Sequence, residues 1–116
     1  YLATAHAELQ QWEEAVTTYR QALATPTLTA PHLAQQGLGA ALFNLRRYRE
    51  AEEALRFAIN LEPTLEGAYY NLGLVLVAED RRDEARIVFR RARELAPESP
   101  FGQAALERLR ALGEGG

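Results

Sequence analysis

The two imidazoles of this chain, His6 and His32, are its candidates for metal ligation, and no cysteine is present to assist them. A histidine metal site on a helix needs a second ligand three or four residues away, on the same face. Neither histidine has a carboxylate at that spacing. The acidic neighbours Asp83-Glu84 and Glu52-Glu53 point in different directions on a helix, so they form no acid pair. No glycine-rich phosphate loop and no Gly-x-Ser-x-Gly elbow occurs. The chain is therefore expected to be no enzyme and to carry no cofactor or metal. Spacing that serves recognition is present instead. Tyr70, Leu74 and Val77 recur at steps of four and three with Asn71 beside them, while Arg82, Arg86, Arg90 and Arg93 form a basic stripe. That basic stripe lacks aromatic stacking partners and reads as a solvated outer face.

These residues must be positioned by helices. In 66–79, Tyr69, Leu72, Gly73 and Leu76 form one helical stripe, and Tyr70, Leu74 and Val77 form another. A helix apolar on most of its circumference is buried on more than one side. In 83–95 the matching stripe is Ala85, Val88, Phe89 and Ala92. Glycine inside a helix costs roughly 1 kcal/mol against alanine, so Gly39 and Gly73 require a packing reason, which close approach of a second helix supplies.

The same pattern returns at a step of 34 residues: Leu38-Gly39 with Leu72-Gly73, Leu42 with Leu76, Ala51 with Ala85, Leu55 with Phe89, Ala58 with Ala92, and Pro63 with Pro97. In spacing and residue type, Tyr69-x2-Leu72-Gly73-x2-Leu76, then Ala85-x3-Phe89, Ala92 and Pro97, the chain resembles the tetratricopeptide repeat family. The resemblance implies an all-α, right-handed solenoid of antiparallel helix pairs. Its expected divisions are a partial first unit with its loop (1–31), units at 32–65 and 66–99, a capping helix (100–112) and a disordered tail (113–116).

Within the first unit, Leu2, Ala3 and His6 hold the slots of Leu72, Gly73 and Leu76, so the expectation is a first helix ending near Leu9. A turn at Gln10 and a second helix over 12–24 follow, with Trp12, Ala15, Tyr19, Ala22 and Leu23 inward. The turns at Gln10, Arg46 and Asp80 lack the glycine common in the family. Two extra residues between Ala15 and Ala51 fall in the loop Thr25–Ala30, as a length variation. Pro31 suits the first turn of the next helix, Thr64 is a candidate cap for the helix after it, and Ser99-Pro100 opens the last. Glu107 stands in the slot of Gly39 and Gly73, which blocks another helix and marks the last helix as a cap. Beginning at Tyr1, the sequence has the look of a processed or excised piece.

The net charge of −3 argues against a general nucleic-acid binder, since phosphate neutralisation needs a concentrated basic surface. All thirteen non-histidine basic residues are arginine. The longest apolar run, Leu72 to Ala78, is far below the roughly 20 residues needed to span a bilayer, so membrane insertion is not expected. The compartment stays open.

What the resemblance implies for function is partner binding in the concave groove lined by first helices. Residue for residue, the groove would comprise Leu33, Gln36, Gly37, Ala40, Phe43 and Asn44 from one unit and Tyr70, Asn71, Leu74 and Val77 from the next. Thr4, Ala7 and Glu8 would flank one end, and Ala104 and Arg108 the other. Phe43, Tyr70 and Leu74 are the expected anchors; Gln36, Asn44 and Asn71 are the expected hydrogen-bonding amides. The family's two-lysine, two-asparagine clamp for a C-terminal carboxylate is not reproduced, with Gly37 in place of an amide and Gly67 in place of a lysine. The expected ligand is thus a hydrophobic or amphipathic segment of a protein partner. The alternative is self-association through the groove or the open N-terminal end, and the same apolar residues would also serve to pack against neighbouring first helices.

Overall fold

The computed structural model describes the backbone of residues 2–113 and the side chains of residues 8–113. Six helices follow one another, α1 (Leu2–Leu23), α2 (Pro31–Asn44), α3 (Tyr48–Leu61), α4 (Glu66–Ala78), α5 (Arg82–Leu95) and α6 (Pro100–Ala111), with no strand among the described residues. The helices form two layers. In one, α2, α4 and α6 touch in succession; in the other, α3 is gripped between α2 and α4, and α5 between α4 and α6. The assembly is an all-α solenoid. Its radius of gyration, 14.6 Å, exceeds the value near 13 Å of an equally long compact domain, as a one-dimensional stack requires.

The 34-residue repetition is realised in the packing. Leu38 and Leu72 are both buried, and the glycines after them face equivalent residues of the next helix: a Cβ on Gly39 would enter Leu55, and one on Gly73 would enter the Phe89 ring. Ala51, Ala58, Ala85 and Ala92 have no exposed surface, so small residues on one helix receive large ones from the other. Val75 and Val16 are also buried, although neither belongs to the expected stripes.

The turns are closed by left-handed residues. Arg46 and Asp80 both take φ 61, and the N–H of the following arginine bonds back to Leu42 and Leu76 respectively. Aspartate tolerates this conformation and arginine does so at a cost, so the hairpins hold without glycine. Position 10 behaves differently. The two helices expected on either side of Gln10 are one continuous helix of 22 residues. Leu9, Gln10, Gln11 and Trp12 include no helix breaker, and nothing in the structure forces the left-handed residue a turn would need. Trp12, expected inward, is 38% exposed. The side chains of Leu2, Ala3, Thr4, His6 and Ala7 and the tail 114–116 lie outside the described residues.

The helix starts divide. Pro31 and Pro100 occupy first turns, and the Ser99 hydroxyl caps α6 by accepting from the Gly102 N–H at 3.0 Å. Thr64 does not cap α4: the cap position is Leu65, and the Thr64 hydroxyl donates to Glu62 at 2.7 Å instead. Asp83 and Glu84 occupy the first turn of α5, where the helix dipole favours them.

Candidate functional site

The first-helix layer carries the groove residues that the sequence assigns, Gly37 among them on α2, together with the C-terminal flank on α6. Leu33, Gln36, Ala40, Phe43 and Asn44 come from α2, Tyr70, Asn71, Leu74 and Val77 from α4, and Arg108 from α6. Their availability differs sharply. Leu33 is 53% exposed and Val77 37%, so both offer apolar surface to a partner. Leu74 and Phe43 pack partly against the core, and the Phe43 ring lies 5.7 Å from Tyr48.

Tyr70 is half-buried and packs against two other rings. Its ring sits between Phe89 at 5.7 Å and Phe101 at 5.8 Å, both tilted, the geometry that aromatic quadrupoles favour. Its hydroxyl accepts a long hydrogen bond, 3.4 Å, from Arg108 Nε. Phe101 comes from α6, so the last helix uses Tyr70 as a packing partner.

The amides are equally uneven. Asn44 spends its Nδ2 on the Ala40 carbonyl at 2.8 Å. Asn71 is half-buried and makes no side-chain hydrogen bond among the described residues. Gln36 places a buried Oε1 that has no partner, while its carboxamide lies over Gly67. A side chain at position 67 would meet that carboxamide and the Phe101 ring, so a lysine has no room there without displacing them. Gly37 is covered too, by the ring of Tyr19 from α1.

The outer layer is polar and repeats as faithfully as the core. Arg47 pairs with Glu50 at 2.7 Å and Arg81 with Glu84 at 2.6 Å, one step of 34 apart. Arg20 reaches Glu50 at 2.9 Å, and its counterpart Arg56 reaches Glu84 at 3.7 Å. Glu52 adds contacts to Arg81 at 2.8 Å and Arg56 at 2.9 Å. Burial would raise the Glu52 carboxyl, but hydrogen bonds from Arg81 and Arg56 reverse this and hold it below its ordinary value. The guanidinium of Arg81 is stabilised upward by Glu84 and then Glu52. Of the basic stripe, Arg86 bonds Asp83 at 2.6 Å and the Leu112 carbonyl at 2.9 Å, tying the end of α6 to α5.

Two features escaped the sequence reading. Phe57 and Ile87, on the outer helices, are well exposed. A cleft of about 230 Å³ lies beside Phe57, lined also by Leu38, Leu42 and Ala54 under the Arg20–Glu50 pair, and holds none of the groove residues. Its signal was the unpaired Phe57, an aromatic outside the repeating stripe.

No group of three or more metal-ligating side chains occurs among the described residues, and no helix of the structure is long and apolar enough to cross a membrane. Three tetratricopeptide repeat family models match the chain, over residues 2–30, 34–65 and 67–99. The chain belongs to the tetratricopeptide repeat family. Among solved structures it resembles the Arabidopsis OM64 TPR domain, at 28% identity and TM-score 0.76, over 93% of this chain and 88% of that one. It also resembles the first TPR of Spaghetti (RPAP3) bound to the HSP90 peptide SRMEEVD, at 21% identity and TM-score 0.80, over 95% and 83% of the two chains. No curated protein shows significant similarity to the chain. Fold and family together define a helical array of tetratricopeptide repeats.

Proposed function

We propose that the α2–α4–α6 layer captures a hydrophobic or amphipathic peptide segment of a protein partner. The observation that carries this reading is the exposure of Leu33 and Val77 on the layer that also presents the unpaired amide of Asn71. Apolar side chains of the ligand lie against Leu33, Leu74 and Val77, and Asn71 bonds its backbone. The neighbour solved with a bound peptide supports a peptide as the class of ligand. Its acidic ligand is not carried over, because Gly37 and Gly67 are filled by Tyr19, Gln36 and Phe101. Tyr70 acts as a wall rather than an anchor.

Peptides selected from a random library on the intact chain test this. Substituting Leu33→Ser together with Val77→Ser, at two surface positions, should weaken the selected peptides at least about tenfold while the circular dichroism spectrum is kept. Equal binding to both proteins, or no enriched peptide, rejects the reading.

The second reading, self-association, is favoured by the exposure of Leu9 and Trp12 on α1, whose one neighbouring helix is α2.

A further inference from the structure

The cleft beside Phe57 has a physical cause in the repeat itself. Its lining includes Gln35 of α2 and Ala54 of α3, with Arg20 of α1 on the far side. One step of 34 residues on, the slots of Gln35 and Ala54 hold Tyr69 and Val88, which are larger and pack against the core. The room between α1 and α3 is therefore what two shorter side chains leave. At about 230 Å³ it is smaller than the clefts of about 300–1,000 Å³ that enclose small-molecule ligands, and it suits one or two protein side chains. Leu38, Leu42, Ala54 and Phe57 make it apolar, and Glu53 stands at its wall with no hydrogen bond or ion pair among the described residues. What fits there is an aliphatic side chain with a cation beside it.

The chain carries that combination itself, at the equivalent place on α5. Ile87 holds the slot of Glu53 and Arg91 the slot of Phe57, so the acid and ring of α3 are answered by an aliphatic chain and a guanidinium one repeat later. Ile87 is 62% exposed, Phe57 53% and Leu61, one turn beyond Phe57, 44%. Arg91 makes one ion pair among the described residues, a 3.8 Å approach to Glu94. The two sets cannot meet within one chain, because they are equivalent positions on successive helices of one layer. We propose that two copies of the chain pair through their outer layers, the Ile87–Arg91 turn of each seated in the Phe57 cleft of the other, with Arg91 against Glu53. One patch supplies both halves of the contact, as a two-fold dimer requires. Burial of Ile87, Phe57 and Leu61 drives the pairing, and the opposed charges fix its register. This surface is separate from the α1 face that carries Leu9 and Trp12. Pairing there leaves both α2–α4–α6 layers free, so the dimer offers two grooves to one partner. That last consequence rests on the peptide-binding reading; the pairing itself does not.

Sedimentation equilibrium of the intact chain should show a reversible dimer, its mass stopping at twice the 13.0 kDa of one copy. Glu53→Arg and Arg91→Glu, both at exposed positions, should each weaken it at least about tenfold, since either change sets like charges opposite one another at both ends of the two-fold contact. Mixed one to one, the two variants should recover the dimer, because each then offers the charge that the other lacks. Gln35→Tyr with Ala54→Val, which gives the cleft the side chains of the next unit, should remove pairing while the circular dichroism spectrum is kept. A strict monomer overturns the proposal and leaves the cleft to a different protein. A dimer that both charge variants retain overturns it and moves the contact to α1. Charge variants that fail to recover in the mixture overturn the Glu53–Arg91 contact, and a mass that keeps rising with concentration replaces the two-fold dimer by a head-to-tail chain. No arm contains a peptide, so failure here leaves the groove assignment standing or falling on its own test.

Discussion

Phe89 and Gly73 show how one residue pair sets the distance between two helices. With no side chain at position 73 the ring lies directly on the α4 backbone, and the Tyr70 ring, one turn earlier on the same helix, packs against it at 5.7 Å. Alanine is the better helix former by roughly 1 kcal/mol. The ring is fully buried and cannot yield, so Gly73→Ala should nonetheless lower stability, by a net of about 1–2 kcal/mol in urea denaturation. Gly102 is the more severe case, because a Cβ there would strike the Ala96 carbonyl oxygen, a backbone atom with no rotamer to change. Gly102→Ala should cost more than Gly73→Ala, by about 3 kcal/mol or above. A neutral or stabilised Gly73→Ala would show that the hairpin spacing is set elsewhere.

At the scale of the element, the backbones of the outer-layer helices stay apart, and side-chain ion pairs join one helix to the next. Exposed pairs of this kind contribute little singly. Glu52 differs, since its side chain is only 16% exposed and takes two arginines. Its carboxyl is depressed from the ordinary 4.5, so its contribution is complete above that value and is lost as pH falls below it. The urea midpoint should accordingly drop between pH 6 and pH 3, and Glu52→Gln should both lower the pH 6 midpoint and flatten the drop. An unchanged slope would place the acid sensitivity at other carboxylates, of which Glu50 and Glu62 are also depressed, by their bonds to Arg47 and Thr64.

Across the whole molecule, stability is a sum over neighbours, and the ends matter most. α6 covers one side of α4 and α5 through Phe101, Ala105 and Leu109, with Arg86 holding its last turn. Removing residues 100–116 should uncover Tyr70 and Phe89 and replace the cooperative thermal transition by a broad one well below it. A truncated chain that melts as sharply and as high as the full one would deny α6 its role in closing the array.

The repeat, the helix pairs, the glycine-to-ring contacts and the serine cap were all legible in the amino-acid order, because each follows from periodicity or from a local hydrogen bond. Leu38 and Leu72 occupy equivalent surroundings for that reason. Which face of α4 remains free was not legible: Tyr70, Leu74 and Val77 share one stripe, yet Tyr70 is taken by Phe101 from 31 positions further on, and Val77 is left to solvent. The same holds for α1, where a repeat-like sequence over 2–24 became a single straight helix. Helix preference runs unbroken through Gln10, which carries no breaker, and the repeat pattern in the residue order did not show that this local preference would prevail.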